Sequence, residues 1–402
     1  MASASRISLS LSVLLLLAAC STTAPRPPAN PAPDLTATID RLVATPALEH
    51  AVWGVLVEDP AGNVLYSRNP HTLLQPASNR KLFAAATIAN CLGFDAQLST
   101  DIHRDGDDLV IRGNADPSLG SWRYGREDDF LHVADVLRER GITSVRDVIA
   151  DVSLFDRVTI PPSWKYGNIG SDYAAPVDAL TWGEGEIAND RAVPDAAQHT
   201  ADALRIALVE RGITVSGVAR VNAAPRAWGE RIASIPSPFV SHLMFAMMKN
   251  SHNLYAEMLL KRLAGTYEGA FAIERNFLTA EAGIAADEFR FVDGSGLSPD
   301  DHVTPASTIR ILRWMNDPAR RALWWTILAT PNEEGTLRRR LVPLQHRLRG
   351  KTGTIAGVNA LAGIIHAERG GGYRYFVVMI NHHIADEANP TIDAIVNAIA
   401  AF

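Results

Sequence analysis

The sequence predicts a mixed α/β (α+β) fold: one antiparallel sheet flanked by helices and built from both ends of the chain, with an α/β domain inserted between them. Three observations lead there. Beyond its first 34 residues the chain opens strand, strand, helix and closes strand, strand, helix, and one shared sheet is the economical way to bury both sets. Between them, Val136 to Thr143 is echoed by Leu208 to Val215, two helix-Gly-strand units that are too few for a solenoid and suit a single α/β insertion. Finally, a remainder of roughly 370 residues exceeds what one compact core accommodates.

Taken in order, residues 1–20 carry one positive charge, Arg6, and an apolar run from Ile7 to Leu17 that is too short to span a bilayer and has the build of a secretory signal. Leu17-Ala18-Ala19-Cys20 resembles the lipobox of bacterial lipoproteins, which implies lipidation of Cys20 and a membrane anchor there. Residues 21–34 hold Pro25, Pro27, Pro28, Pro31 and Pro33, a polyproline II tether reaching roughly 40 Å. Ala51 to Glu58 and Val64 to Ser67 read as a hairpin leading into a helix that starts near Ser78 and stops at Gly93, with Cys91 expected as a small buried hydrophobe.

The inserted domain is placed at 103–225, leaving 35–102 and 226–402 for the domain built on the shared sheet. Within the insertion, Leu109 to Arg112 is a strand, Phe130 to Arg140 a helix stopped by Gly141, and Val145 to Val152 a strand. Pro161 to Ala201 is loop-like, and its Trp164, Tyr166, Tyr173 and Trp182 are expected to cover a small core rather than line a groove. Pro238 to Lys249 and Leu254 to Leu263 are helical, the second amphipathic with a Glu257–Lys261 pair at i, i+4. Phe289 to Val292 is a strand entering the turn Asp293 to Pro299, for which a purely conformational role is expected. Val358 to His366 and Tyr373 to Asn381 are strands joined through Glu368 to Gly372, and Ala388 to Ala400 is the last helix.

Composition narrows the chemistry. A net charge of −6 gives no basic footprint for nucleic acid. With Cys20 lipidated, Cys91 stands alone and no intrachain disulfide forms. Arg supplies nearly all the positive charge, and the five lysines are Lys81, Lys165, Lys249, Lys261 and Lys351. Lys is therefore kept where a cation must also lose a proton, which Arg cannot do.

Ser78 precedes Lys81 by three residues, so both side chains share one helix face, close enough for an amine to take the hydroxyl proton. The plain alternative is a Ser N-cap before an exposed Lys. With 23 serines and five lysines, about 0.3 such matches arise by chance, and one occurs. Ser251-His252-Asn253 follows at a helix boundary, though Ser67-Arg68-Asn69 shows how cheaply Ser-x-Asn arises. Lys351-Thr352-Gly353-Thr354 comes last.

Ser-x-x-Lys, Ser-x-Asn and Lys-Thr-Gly in that order are the signature of penicillin-binding proteins and serine β-lactamases. With Gly113 to Leu119, Asp151 to Phe155, Tyr173 to Pro176 and Asp293 to Ser298, the chain from Ala51 onward resembles the D-alanyl-D-alanine carboxypeptidase/endopeptidases of the class C low-molecular-mass penicillin-binding proteins, the peptidase S13 family. The resemblance implies a transpeptidase/serine β-lactamase-like catalytic domain with Ser78 as nucleophile, Lys81 as its base, and Ser251, Asn253 and Lys351 as catalytic partners. It also implies Thr352, Gly353 and Thr354 as substrate-binding residues and an oxyanion hole of the Ser78 and Thr354 backbone N–H groups.

By the same resemblance the partners are peptidoglycan stem peptides and β-lactam antibiotics, no metal or other cofactor is needed, and the protein is anchored on the periplasmic face of the envelope, at the outer membrane because Ser21 follows Cys20. Thr181 to Ala196 is too short for the family's full set of inserted domains, and His252 stands where the family has an acidic or amide residue. Three rivals stay open. A serine β-lactamase of class A needs a Glu-x-x-x-Asn, and Glu184 and Glu186 before Asn189 have the wrong spacing. A catalytically inactive cell-wall-binding lipoprotein would keep the same surface. A metal hydrolase would need more than the adjacent His382-His383, and the chain has no His-Glu-x-x-His.

Overall fold

Near-continuous apolar runs at both ends of the chain meet in one sheet, as strands buried on two faces require. The computed structural model describes residues 34–187, 190–224, 228–368 and 372–402. Residues 1–20, read above as a signal peptide ending at Cys20, all of the Pro-rich segment before Asp34, Asn189 and the centre of the Glu368–Gly372 turn lie outside the described residues. In chain order, α1 (Leu35–Val43), β1 (Val52–Glu58), β2 (Val64–Arg68) and α2 (Arg80–Leu92) lead into β3 (Gln97–Asp105) and β4 (Asp108–Arg112). Next come α3 (Asp129–Glu139), β5 (Ser144–Val145), β6 (Val148–Asp151), β7 (Glu186–Ile187), β8 (Arg191–Ala192), α4 (Ala196–Glu210), β9 (Thr214–Val215), β10 (Ala219–Asn222) and β11 (Glu230–Phe239). The chain closes with α5 (Val240–Lys249), α6 (Asn253–Lys261), α7 (Tyr267–Ala280), β12 (Phe289–Arg290), β13 (His302–Val303), α8 (Pro305–Met315), α9 (Arg321–Ile327), β14 (Leu348–Ile355), β15 (Val358–His366), β16 (Tyr373–Asn381) and α10 (Ala388–Ala401).

The first sheet has the order β14-β15-β16-β1-β2 and is antiparallel throughout. Its strands alternate between two cores. Val55, Leu361, Phe376 and Val378 pack with α1 and α10, while Leu56, Ala360, Ala362 and Val377 face α2, α5 and α8. Ala360 and Ala362 are small, so the sheet lies close to α2, which is buried from Arg80 to Ala89.

A second sheet, β10-β6-β4-β3-β11, serves the middle of the chain. It extends from Gln97 to Phe239, on both sides of the 103–225 segment assigned to the insertion. The two echoed units pack on each other: Gly141 (φ 74°) and Gly212 (φ 77°) end α3 and α4 in the left-handed conformation, and β5 and β9 pair in parallel, Val145 opposite Val215.

Four expectations are corrected. The strand read as Val145 to Val152 is two, β5 and β6, pairing in different sheets. The helix read from Pro238 begins at Val240, because Pro238 and Phe239 end β11, an edge strand, where proline is tolerated. The loop read to Ala201 ends earlier, where Asp195 accepts from the Gln198 N–H and caps α4. Cys91 is exposed, because α2 leaves the core after Ala89.

Candidate active site

Ser78 lies in a 3₁₀ turn, Ala77–Asn79, that feeds α2, and Ala77 before it adopts φ 45°, a conformation a side chain tolerates only under constraint. The constraint is packing from two sides. A Cβ at Gly353 in β14 would stand 2.7 Å from the Pro76 carbonyl and 3.1 Å from the Ser78 nitrogen, and one at Gly296 would stand 2.0 Å from the Ala77 carbonyl. Both glycines are required because backbone touches backbone here.

Lys81 is fully buried one helical turn on. Its Nζ is 2.9 Å from Ser78 Oγ, 2.6 Å from Asn253 Oδ1 and 2.9 Å from the Ser295 carbonyl. Asn253 Oδ1 and the Ser295 carbonyl only accept, so a neutral amine gives them its two hydrogens and turns its lone pair to Ser78. Burial pushes Lys81 down to about 7, against the upward pull of Asp293 and Glu257 and with help from Arg80. Arg80 is the leading cation acting on it.

The opposite wall is β14. Lys351 is fully buried, with Nζ donating to Ser251 Oγ at 2.9 Å and to the Thr352 carbonyl at 2.8 Å. Burial first, and Lys81 second, push it well below the usual lysine range. Thr354 is exposed, and its Oγ1 accepts from Asn359 Nδ2 at 3.1 Å. Thr352 instead is nearly buried and donates to Thr336 Oγ1 at 2.7 Å.

Sequence reasoning missed Glu257 and Ser295. Glu257 and Lys261 are both buried and do not pair: Lys261 meets Asp156 at 2.6 Å, while Glu257 accepts from the Gly294 and Ser295 N–H groups, each at 2.8 Å, and from Tyr267 at 3.0 Å. α6 is buried nearly all round, so i, i+4 spacing does not make a surface pair. Asp293 ties the same loop down, accepting from the Gly296 N–H (2.6 Å), the Ser298 N–H (2.7 Å) and Trp164 Nε1 (2.9 Å). The loop is thus more than conformational, because it aims the Ser295 carbonyl at Lys81. Only the Asp-Gly-Ser-Gly run could have pointed to it.

Ser78, Ser251, Asn253 and Thr354 line one cleft of about 350 Å³ together with Lys165, Asn168, Tyr173 and Leu297. Tyr173 is therefore a groove residue, contrary to expectation, whereas Trp164 is buried and Trp182 stacks on Phe130 at 4.1 Å, as core covers. His252 points out of the cleft to Glu184, 3.0 Å away, with Glu186 at 3.5 Å. This is the one His–acid grouping with metal-like geometry among the described residues, and both Glu184 oxygens are already engaged by Arg123 and other donors.

The model of the D-Ala-D-Ala carboxypeptidase 3 (S13) family matches residues 35–191 and 186–402, two stretches that meet at the β7–β8 hairpin. The D-alanyl-D-alanine carboxypeptidase of Actinomadura sp. is 27% identical over 464 aligned residues, covering 92% of this chain and 85% of that protein. Carboxypeptidase DacB of Mycolicibacterium smegmatis is also 27% identical, covering 87% and 79%. In fold, the chain is similar to the crystal structure of penicillin binding protein 4 from Haemophilus influenzae, with a TM-score of 0.81, 18% identity, and 90% and 99% of the two chains covered. The penicillin G-acylated predatory endopeptidase from Bdellovibrio bacteriovorus shares the fold more distantly, with a TM-score of 0.55, 15% identity, and 86% and 90% covered. With the model spanning every residue from Leu35 to Phe402, and with Ser78, Ser251 and Asn253 lining one cleft and bonded from behind by Lys81 and Lys351, the chain belongs to the D-Ala-D-Ala carboxypeptidase 3 (S13) family of serine-type carboxypeptidases.

Proposed function

We propose that this serine D-Ala-D-Ala carboxypeptidase/endopeptidase cleaves peptidoglycan stem peptides through an acyl-enzyme on Ser78 and that β-lactams trap it there. The observation that supports this most is the Lys81 amine, 2.9 Å from Ser78 Oγ, with its other two partners both acceptors. Ser78 Oγ attacks the carbonyl of the penultimate D-Ala and passes its proton to Lys81. The oxyanion takes hydrogen bonds from the Ser78 and Thr354 N–H groups, preorganised donors that commonly lower a barrier by about 3–4 kcal/mol each.

The C–N bond then breaks, Ser251 delivers a proton to the departing amine, and the proton that Lys81 took from Ser78 makes good that loss, with Lys351 holding Ser251 Oγ at 2.9 Å. Water later attacks the ester and frees Ser78. Asn253 donates from Nδ2 to the Tyr173 carbonyl at 2.8 Å, which keeps its Oδ1 on Lys81. The β-lactamase rival gains nothing from Glu184, which is fully buried and tied to Arg123, Ser121, Tyr255 and His252.

Intact-mass spectrometry after benzylpenicillin tests the reading. One stable adduct, mapped to the peptide carrying Ser78 and absent from Ser78→Ala, is the expected result. Rapid turnover of the drug without an adduct favours the β-lactamase, and an inert wild type favours the wall-binding lipoprotein.

The envelope address belongs to the same proposal. The apolar run before Leu17-Ala18-Ala19-Cys20 supports a signal peptide and a lipid anchor on the periplasmic side. Among the described residues no helix is long and apolar enough to cross a membrane. Metabolic labelling with a fatty acid, lost in Cys20→Ala, is the check.

A further inference from the structure

The Ser251-His252-Asn253 turn supplies two of the side chains closest to the reacting atoms, yet its backbone is not relaxed: Ser251 sits at φ 62°. Such a residue keeps its conformation only where neighbours over-determine it. Its neighbours come from three directions. Lys351 of β14 bonds Ser251 Oγ at 2.9 Å, the His252 N–H reaches the Ala246 carbonyl in α5 at 3.1 Å, and Asn253 Nδ2 reaches the Tyr173 carbonyl at 2.8 Å. The fourth hold is the His252 ring itself. It is nearly buried, lies edge-on to Tyr255 at 4.8 Å, and directs Nε2 to Glu184 Oε2 at 3.0 Å.

Glu184 is placed for this with unusual firmness. It stands between Gly183 (φ 61°) and Gly185 (φ 69°) and is itself at φ 61°, three consecutive left-handed residues that thrust one carboxylate inward. That carboxylate is fully buried and collects donors from Ser121 Oγ (2.6 Å), Arg123 Nε (3.1 Å) and Nη2 (3.2 Å), Tyr255 Oη (2.8 Å) and His252. A carboxylate held by so many donors is a fixed point rather than a proton carrier. Both Glu184 and Tyr173 belong to the inserted region, so two of the four holds on the catalytic turn come from outside the catalytic sheet and its helices.

We propose that Glu184 is a positioning residue for the acyl-transfer reaction: acting through His252, it fixes the turn that aims Ser251 at Lys351 and Asn253 at Lys81. The middle residue of the Ser-x-Asn motif is then histidine because the inserted region offers it a preset acceptor, with Glu186 at 3.5 Å as a second one. This inference rests on the Ser78 acyl-enzyme reading.

The test uses the full chain and two readouts, kcat and KM on a D-Ala-D-Ala-ended peptide and the rate of benzylpenicillin acylation, each beside a thermal melt. His252→Ala leaves Glu184 its other donors, so it is expected to fold, to lose about ten- to thirtyfold in kcat and in acylation rate, and to keep KM within about twofold. His252→Gln, long enough to donate to Glu184, is expected to recover most of that loss. Glu184→Gln should slow acylation at least as much, and if it does not fold, the two His252 variants decide alone. In a folded double variant, Glu184→Gln with His252→Ala, the losses should fail to add, as for two parts of one link. A folded His252→Ala enzyme with wild-type kcat and acylation rate overturns the proposal, as does a loss that His252→Gln does not repair. Failure of the underlying reading looks different, because the wild type itself then forms no adduct.

Discussion

The floor and the wall of the cleft each present a fully buried lysine bonded to a serine, yet their charges are governed differently. On the floor, the negative charge of Asp293 and Glu257 offsets part of the cost of burying Lys81 and leaves the amine at about 7. On the β14 wall no acid offsets burial to that degree, Lys81 repels, and Lys351 falls well below the ordinary range. A base with its midpoint near ambient pH can both take and return the Ser78 proton, whereas a lysine pushed further toward its neutral form serves to direct a hydrogen bond to Ser251. The same residue type thus does two jobs, and the acids behind it decide which.

The contrast breaks hardest at Lys81. Lys81→Met, close in shape but without the amine, should cut benzylpenicillin acylation by about 10³-fold or more. It should also raise the melting temperature, because no buried amine is left to desolvate. Quenched-flow mass spectrometry and calorimetry read the two effects, and near-normal acylation would dismiss Lys81 as the base. Next comes Lys351→Arg. Guanidinium cannot shed its proton and is larger than the fully buried slot, so turnover of a D-Ala-D-Ala peptide should fall about 10²-fold.

Gly353→Ala probes the contact that brings wall and floor together. Its methyl would meet the Pro76 carbonyl at 2.7 Å, so about a tenfold loss in acylation and about 1–3 kcal/mol of stability are expected. The smallest effect sharpens the comparison. Lys81 must be neutral to act, so acylation should rise with pH through about 7. Glu257, itself raised to about 7 by burial and by Asp293, is ionised above that point and holds the Lys81 proton on. Glu257→Gln should therefore move the rising limb to lower pH, and an unmoved or upward-shifted limb would remove Glu257 from the circuit.

Much of this was readable in the chain. The strands Val358–His366 and Tyr373–Asn381 fall where alternation and turn residues put them, since both faces of that sheet are buried and leave little choice of register. Ser78 and Lys81 were legible because helical spacing alone puts them on one face. The end of β11 was read as helix because proline also suits a helix start, and the burial of α6, though not the helix, was masked by charged residues that look like a surface pattern. Tyr173 was assigned to a core because an aromatic in a loop carries no mark of which way it faces.

By itself the sequence determined which residues meet at the cleft, because spacing within a helix or strand is local and three short motifs kept their order. Only the tertiary structure decided the environment that tunes them: the Ser295 carbonyl and Glu257 beneath Lys81, and Glu184 behind His252. Those contacts join residues dozens to hundreds of positions apart, and a buried charge takes its character from whatever acid or base the fold brings within a few ångströms, which no local pattern records.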